Sequence, residues 1–265
     1  MSIKSTVLII GATSGIGRAL ARSIHAQGKK VIATGRNIER LSALAAELPE
    51  LETDCWDFSD IHSLPNRVSK ITSKYPNLDT VIVNAGIQNL YMFKDIQVGA
   101  SKTINDEVTT NLTAPIVFCQ AIIPFFIQAE KPCSIILISS GLAFVPVPFF
   151  PVYCPTKAAL HSFAIAMRSQ LHGTNINVTE VFPQYVETGL DDKFRDRMIE
   201  ICGGPEKAPK AMPLADFTEK AMMKLDALED GKPIQEIGVG AFPEAAVAAW
   251  RSSMGPWMAR FGASG

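Results

Sequence analysis

The sequence predicts an α/β protein: residues 1–265 form a single domain in which a doubly wound parallel sheet of about seven strands carries helices on both faces. Short β-branched runs alternate with longer segments of helical period along the 265 residues, which is typical of parallel sheets. Most of these runs are apolar at consecutive positions, as expected where both faces of a strand are buried.

Seven short runs are predicted to be strands. They cover residues 6–10, 31–34, 51–56, 80–83, 135–139 and 177–182, with 234–239 as a candidate seventh. Segments with helical period cover residues 16–27, 38–48, 60–74, 101–129 and 155–171. Residues 187–214 differ, because they mix charges with several Gly and Pro residues. This composition predicts an inserted lid over a site.

Composition excludes several classes of function. Hydrophobic residues make up 47% of the chain and charged residues 19%, which excludes disorder. The net charge of -1 leaves no basic excess for binding nucleic acid. We expect no membrane span, because the longest apolar run, 114–129, is shorter than a bilayer requires and is interrupted by Pro and Gln.

Cysteine usage predicts the compartment. The five Cys residues are an odd number without a Cys-x-x-Cys pair, and the start of the chain shows no signal-peptide pattern. A reducing cytoplasm is therefore expected. The four His residues form no cluster with metal-ligand spacing, so no metal is expected.

A glycine-rich loop follows the first predicted strand. It reads Gly-Ala-Thr-Ser-Gly-Ile-Gly and passes directly into helical pattern. Glycines at a strand-to-helix turn let the backbone approach a pyrophosphate, whose charge then lies at the helix N-terminus. The loop predicts a Rossmann-type dinucleotide site with contacts from Gly11, Thr13, Ser14, Gly15, Ile16 and Gly17.

The end of the second strand predicts which dinucleotide binds. An acidic residue about 20 residues after the glycines would bind the ribose of NAD, but the sequence there is Thr34-Gly35-Arg36-Asn37. The Arg36 guanidinium suits a 2'-phosphate, which favours NADP. A solvent-exposed Arg at a turn is the alternative interpretation.

Tyr153 and Lys157 form a candidate proton donor. A Tyr and a Lys four residues apart lie on one helical face, and the ammonium lowers the pKa of the phenol toward the working range of an acid. Pro155, between them, requires that a helix begins here. Ser140 directly follows a predicted strand, at the carboxyl edge where open α/β sheets place their ligands.

Together these motifs resemble the short-chain dehydrogenase/reductase family. The matching segments, in the family's order, are Gly11-x-x-x-Gly15-x-Gly17, Asn84-Ala85-Gly86, Asn111, Ser140, Tyr153-x-x-x-Lys157 and Pro183-x-x-Val186-x-Thr188. The resemblance extends from residue 6 to about residue 190.

The resemblance implies roles for these residues. Tyr153 would be the general acid for reduction, Lys157 would hold the nicotinamide ribose, and Ser140 would hydrogen-bond the carbonyl oxygen. Asn111 would hold a relay water. Further implied cofactor contacts are Asp57 and Phe58 beside the adenine, Asn84, Ala85 and Gly86 on the adenine side of the site, and Pro183, Val186 and Thr188.

Two departures from the family pattern lie near the site. Ile10 stands where the family usually has Thr, which removes a hydroxyl that would brace the glycine turn. Gln184 stands where the family usually has Gly after Pro183, which adds a side chain near the nicotinamide and leaves the identity of the substrate open.

The segment between Ser140 and Tyr153 predicts the substrate class. Residues 142–150 contain no charge, so we expect a bulky, largely apolar ketone or aldehyde, with core packing as the alternative role of these side chains. The predicted pocket residues are Leu142, Phe144, Val147, Phe149, Phe150, Gln184, Tyr185, Leu190 and Phe194.

The predicted function is an NADP(H)-dependent oxidoreductase of the carbonyl reductase type. Two alternatives stay open: an enzyme of the same scaffold that catalyses dehydration, isomerisation or ring closure, and a non-catalytic NADP-binding sensor. Retention of Ser140, Tyr153 and Lys157 favours catalysis over the sensor. A homodimer or homotetramer is expected, because residues 101–129 are apolar over more than one helical stripe.

Overall fold

A parallel sheet forms the centre of the computed structural model, which describes residues 1–95 and 100–262. The strands are β1 (Thr6–Ile10), β2 (Lys30–Gly35), β3 (Glu52–Cys55), β4 (Thr80–Val83), β5 (Cys133–Ile138), β6 (Ile176–Pro183), the two-residue β7 (Leu228–Glu229) and β8 (Lys232–Pro233), and β9 (Glu236–Val239). Seven of them form the sheet in the order β3-β2-β1-β4-β5-β6-β9. Every neighbouring pair is parallel.

Helices cover both faces of this sheet. They are α1 (Gly15–Ala26), α2 (Ile38–Glu47), α3 (Leu64–Lys74), α4 (Ala100–Val108), α5 (Ala114–Gln128), α6 (Tyr153–Gln170), α7 (Arg195–Ile201), α8 (Leu214–Asp226) and α9 (Ala241–Arg260). Phe118 of α5 and Leu160 of α6 are buried on one face, together with Leu64 of α3. Leu20 of α1, and Phe217 of α8, are buried on the other. The predicted doubly wound fold is confirmed.

The strand order reverses between β1 and β4. β1 pairs with β2 on one side and with β4 on the other. Because ligands of open α/β sheets bind beyond the carboxyl ends of the strands at such a point, the fold places a binding crevice next to the glycine-rich loop.

One long predicted helix is two helices. The segment 101–129 forms α4 and α5, joined by a π-helical stretch at Thr109–Thr113. Pro115 has no N–H to donate to the carbonyl of Asn111, four residues earlier, so a regular helix cannot continue here. The side chain of Asn111, within this stretch, is hydrogen-bonded to the backbone of Ile87.

The same segment is apolar enough to cross a membrane by length and composition alone. In the structure, Ser101–Gln128 has a mean hydropathy of 1.6 over its most apolar window. Phe118, Ile122 and Phe126 are nevertheless fully buried against the sheet and α3. This part of the chain therefore packs as core helices.

The chain after residue 240 forms a helix that the sequence pattern does not predict. α9 packs against β9, where Pro243 and Val247 are buried. Further along, the Trp250 ring lies 5.9 Å from the Phe144 ring and 5.3 Å from the His161 ring, measured between ring centres. The C-terminal helix thus closes the edge of the domain beside α6.

Candidate active site

The glycine-rich loop is held close to the turn after β4. Asn84 Nδ2 donates to the Gly11 carbonyl at 2.8 Å. A Cβ at Gly17 would lie 2.1 Å from that carbonyl oxygen and 2.5 Å from Asn84 Nδ2, so no larger residue fits. The resulting cradle at the N-terminus of α1 is open to a pyrophosphate. It is braced by Asn84, while Ile10 offers no hydroxyl.

Arg36 stands at the end of β2 beside the adenosine end of this crevice. Its side chain is 64% exposed and lies 3.6 Å from Asp57, measured between Nη1 and Oδ2. The other carboxylate oxygen of Asp57 accepts hydrogen bonds from Ser59. Arg36 is therefore an exposed guanidinium whose ion pair with Asp57 is long. The Phe58 ring is buried against Phe118, which leaves only its backbone for an adenine ring.

Tyr153 and Lys157 lie on one face of the first turns of α6. The helix begins at Tyr153, so Pro155 lies in the first turn, as the sequence requires. Lys157 Nζ donates to the Ile138 carbonyl at 2.9 Å. The sequence predicts that Lys157 lowers the pKa of Tyr153, but burial raises it, an effect that a hydrogen bond with Ser140 opposes.

Burial also shifts the pKa of Lys157. Removal from water lowers it to about 8, and the charge of Glu180 opposes this shift. Burial therefore favours the protonated phenol of Tyr153, whereas it brings the loss of the Lys157 proton closer to neutral pH.

Ser140 lies directly after β5, at its carboxyl end. Its backbone is extended, and its Oγ accepts a hydrogen bond from the backbone N–H of Leu142 at 3.1 Å. This bond caps the short 3₁₀ turn Gly141–Ala143. Because Oγ accepts in this bond, its own proton is available to the Tyr153 oxygen, whose pKa the Ser140 hydrogen bond lowers.

Asn111 connects three parts of the site. Its Oδ1 accepts from the Ile87 N–H at 2.8 Å, and its Nδ2 donates to the Ile87 carbonyl at 2.7 Å and to Thr156 Oγ1 at 3.4 Å. Thr156 in turn donates to the Tyr153 carbonyl at 2.7 Å. The side chain of Asn111 therefore positions the loop after β4 against the start of α6.

An apolar cluster surrounds the Tyr153 ring. Its members are Phe150, Tyr153, Cys154 and Met198, with half-buried Leu90, Leu142, Val147, Phe149, Tyr185, Phe194 and Cys202 packed against them. The Phe150 ring centre lies 6.4 Å from that of Tyr153 and 5.5 Å from that of Phe194. Six predicted pocket residues are thus brought together: Leu142, Val147, Phe149, Phe150, Tyr185 and Phe194.

Two predicted pocket residues, Phe144 and Leu190, lie elsewhere. Phe144 packs against Phe182, His161 and Trp250, because the turn after Ser140 directs its ring toward α9. Leu190 is 40% exposed at the surface of the inserted segment. Neither residue belongs to the cluster around Tyr153 among the described residues.

Gln184 also differs from the expectation. Its Oε1 lies 2.0 Å from where a Cβ of Gly240 would be, so the side chain rests on the backbone of Gly240, which has a φ of 111°. The backbone N–H of Gln184 donates to the Val239 carbonyl. The side chain therefore extends toward the end of β9, and the absence of a side chain at Gly240 gives it room.

The inserted segment is anchored at both ends. Val186 bridges to Met212, and Thr188 Cβ lies 3.2 Å from where a Cβ of Gly15 would be. Arg195 Nη2 donates to the Thr188 carbonyl at 3.1 Å and to Asp191 Oδ1 at 2.9 Å. Thr188 is therefore next to the glycine-rich loop, as the family resemblance implies.

Two buried carboxyl groups near the site are not predicted from the sequence. Glu107 of α4 accepts hydrogen bonds from Asn89 and from the Tyr91 hydroxyl, and burial raises its pKa. Glu180 of β6 is hydrogen-bonded to His161, with 2.8 Å between Oε2 and Nδ1. A signal existed for the second, since Glu180 is the charged residue of strand β6.

Within residues 1–95 and 100–262, no group of three or more His, Cys, Asp or Glu side chains is arranged to hold a metal ion.

Comparison with known proteins gives the family. Residues 5–199 match the family model described as short chain dehydrogenase. The chain is 37% identical over 235 residues to the uncharacterized oxidoreductase DltE of Bacillus subtilis, covering 88% of this chain and 87% of that protein. It is 35% identical over 187 residues to serine 3-dehydrogenase of Agrobacterium fabrum, covering 70% and 74%.

Solved structures agree. A serine dehydrogenase in its closed form, complexed with NADP⁺, superposes with a TM-score of 0.75 at 26% identity, covering 88% of this chain and 94% of that one. A short-chain dehydrogenase from Sphingobium yanoikuyae in complex with NADPH gives 0.77 at 23% identity, covering 97% and 96%.

Fold and site define an α/β oxidoreductase with a glycine cradle for a dinucleotide and a Ser, Tyr and Lys at the carboxyl edge of its sheet. The chain belongs to the short-chain dehydrogenase family.

Proposed function

We propose that the protein is an NADP(H)-dependent carbonyl reductase for a bulky, largely apolar ketone or aldehyde, or the dehydrogenase of the corresponding alcohol. The observation that carries this proposal is the apolar cluster around Tyr153, in which aromatic and aliphatic side chains of α6, the 142–150 segment and α7 surround the phenol.

NADP is the proposed cofactor because the residues on both sides of the crevice fit it. The cradle at Gly11 and Gly17 accepts a pyrophosphate, and Arg36 offers a guanidinium at the ribose end where NAD-specific proteins have an acid. The serine dehydrogenase that resembles this chain binds NADP⁺. Proposed contacts extend to Thr13, Ser14, Gly15, Ile16, Asp57, the backbone of Phe58, Asn84, Ala85, Gly86, Pro183, Val186 and Thr188.

When bound, the reduced cofactor supplies hydride to the carbonyl carbon. Ser140 and Tyr153 then donate hydrogen bonds to the carbonyl oxygen, and Tyr153 transfers its proton to that oxygen. Lys157 holds the nicotinamide ribose and stabilises the phenolate that remains. The Asn111 side-chain amide is already hydrogen-bonded to the Ile87 backbone. The backbone carbonyl of Asn111 therefore holds the relay water through which Tyr153 regains a proton.

A small hydroxy acid such as serine is the second candidate substrate, because relatives at 35% and 26% identity are serine dehydrogenases. A carboxylate substrate requires a cation near the phenol. Arg195, a basic residue of the lid beside Tyr185, already pairs with Asp191 and Asp192 at 2.9 and 3.1 Å. The apolar substrate is therefore favoured.

Segment 187–214 is the proposed substrate lid. Its helix α7 carries Met198, which is buried in the cluster, and the preceding Phe194 packs on Phe150. Both contacts separate the Tyr153 site from solvent. Opening of this segment would admit a substrate larger than the closed cluster does.

We further propose a homodimer or homotetramer acting in the cytoplasm. All five Cys residues are free, which fits a reducing compartment. The outer face of α5 carries Ile127, which is 51% exposed, and half-buried Ile123 one turn before it.

A turnover screen tests the function. Purified protein is incubated with NADPH and a panel of alkyl ketones, aryl ketones, aldehydes and 3-oxo acids, and NADPH oxidation is followed by absorbance. Turnover of long alkyl or aryl ketones is expected. A preference for the 3-oxo acid, or for serine with NADP⁺, would favour the second candidate. A protein that binds NADPH and turns over nothing would support the sensor.

A further inference from the structure

A buried carboxylate lies beneath the helix that carries Tyr153. Glu180 is fully buried on β6. Side chains alternate along a strand, so Glu180 and Phe182 point to the same face of the sheet. His161 of α6 contacts both of them, which places Glu180 directly under α6. An unpaired charge at such a depth is costly, so its neighbours must account for it.

His161 and Arg168 compensate only part of the negative charge of Glu180. His161 Nδ1 lies 2.8 Å from Glu180 Oε2, and Arg168 Nη2 lies 3.6 Å from the same oxygen. Arg168 makes its shorter contact, 2.9 Å, with Glu236 of β9, which also binds Arg251 of α9 at 2.8 Å. The guanidinium groups of Arg168 and Arg251 thus pair mainly with Glu236. Glu180 Oε1 has no hydrogen-bond partner among the described residues.

Lys157 is the remaining cation on this face of α6. It lies one helical turn after Tyr153 and one turn before His161. Lys157 Nζ donates to Ile138, a residue of β5 that pairs with the residue after Glu180 on β6. Burial lowers the pKa of Lys157, and the charge of Glu180 acts in the opposite direction.

We propose that Glu180 is a positioning residue for the reaction: its carboxylate keeps the buried Lys157 ammonium charged, and His161 and Arg168 hold that carboxylate in place. A charged Lys157 donates stronger hydrogen bonds than a neutral amine, and its charge favours the phenolate of Tyr153. Glu180 acts through Lys157 alone. The inference rests on the proposed function in one respect, that Lys157 holds the nicotinamide ribose.

Removal of the charge at constant shape tests this role. Glu180→Gln keeps the side-chain volume and an oxygen that accepts from His161, but it carries no charge. NADPH affinity is measured by fluorescence titration between about pH 7 and about pH 10. In the unmodified protein, affinity falls roughly fivefold as Lys157 loses its proton, because a charge-assisted hydrogen bond becomes a neutral one. In Glu180→Gln the midpoint of this fall moves to lower pH by about one unit.

Three further variants separate this role from a structural one. Glu236→Gln removes a carboxylate from the same network without removing the one near Lys157, so its midpoint stays that of the unmodified protein. Glu180→Asp restores the charge and restores the midpoint. Glu180→Met is a second uncharged variant of similar side-chain volume, in which Arg168 keeps Glu236 as its partner. Thermal unfolding confirms that each variant is folded.

Several outcomes would overturn the proposal. An unchanged midpoint in whichever uncharged variant folds is one, and NADPH affinity of the unmodified protein that is flat to about pH 10 is another. Weakening by the same factor at every pH, matched by Glu236→Gln, would show a structural role only. Because the measurement is of binding, it stays readable if no carbonyl is turned over, which would contradict the proposed function instead.

Discussion

Lys157 Nζ lies 5.6 Å from the centre of the Tyr153 ring. Both side chains are buried, so the ammonium acts on the phenol across a short distance from which water is excluded. This relationship makes Tyr153 the group whose removal should separate chemistry from binding.

We expect Tyr153→Phe to abolish turnover and to leave NADPH affinity nearly unchanged. The substitution removes one proton donor, and general acid catalysis contributes on the order of 10² to 10⁴ in rate. Steady-state kcat and an NADPH binding titration measure the two effects. A variant that retains more than about a tenth of the original kcat would contradict the assignment of Tyr153 as the acid.

The exposed position of Arg36 predicts cofactor preference. The unmodified protein should use NADPH over NADH by at least about tenfold in kcat/KM, because a hydrogen bond to a charged group contributes roughly 1.5–3 kcal/mol. Arg36→Ala should lose most of this preference. Lys220→Ala, which removes an exposed cation on α8, is the control and should keep it. Equal use of both cofactors by the unmodified protein would show that Arg36 points to solvent.

The close packing around Gly17 predicts that a larger residue there weakens cofactor binding. An added Cβ would displace the Gly11 carbonyl or Asn84 Nδ2, so Gly17→Ala should lower NADPH affinity at least about tenfold and destabilise the fold by about 1–3 kcal/mol. Gly255→Ala, in α9, meets nothing within 4 Å. This control should leave affinity unchanged, and its stability should not rise, because an added Cβ before Pro256 is disfavoured in a helix. Urea unfolding and NADPH titration measure both, and equal affinity in the two variants would contradict the cradle.

Much of this arrangement was predictable from sequence, for a physical reason. Parallel strands buried on both faces must be apolar throughout, and a glycine turn at a strand end has few substitutes. The predicted strand 6–10 therefore matches β1, and the predicted helix 155–171 matches α6 except that α6 begins two residues earlier, at Tyr153. The residues that the motifs place around Tyr153 are brought together as well.

Other features depend on contacts that no local pattern records. α9 is rich in Ala, which favours a helix. Pro243 and Pro256 argue against a helix in the sequence, however, and its apolar side chains form no regular stripe. Phe144 and Gln184 lie where α9 and Gly240 leave them room. His161 pairs with Glu180 only because α6 packs over β6. This is tertiary packing, which the local sequence does not predict.

The apolar outer face of α5 predicts self-association. Light scattering at micromolar concentration should give two or four times the chain mass of 28.7 kDa. Ile127→Asp should shift the mass toward that of one chain, because it places a charge on this face. Val145→Asp, at a similarly exposed residue elsewhere, is the control. A mass of one chain for the unmodified protein would end this prediction.

The cluster around Tyr153 predicts how activity depends on the length of a ketone. Each added CH₂ that becomes buried should raise kcat/KM by up to about fourfold, equivalent to about 0.8 kcal/mol, until the pocket is full. Phe194 covers Phe150, which lies against Tyr153. Phe194→Ala should therefore reduce this increment and move the optimum to a longer chain, because it enlarges the pocket on the lid side.

A series of methyl ketones of increasing length, measured as kcat/KM with saturating NADPH, checks this dependence. Phe261→Ala, which removes an aromatic ring that is 81% exposed, should leave the series unchanged. If kcat/KM is flat or falls from the shortest ketone upward while polyhydroxylated substrates react well, the aromatic residues do not line the substrate site. They would then be core beneath the lid, and the cluster around Tyr153 would serve to bury the phenol rather than to bind a substrate.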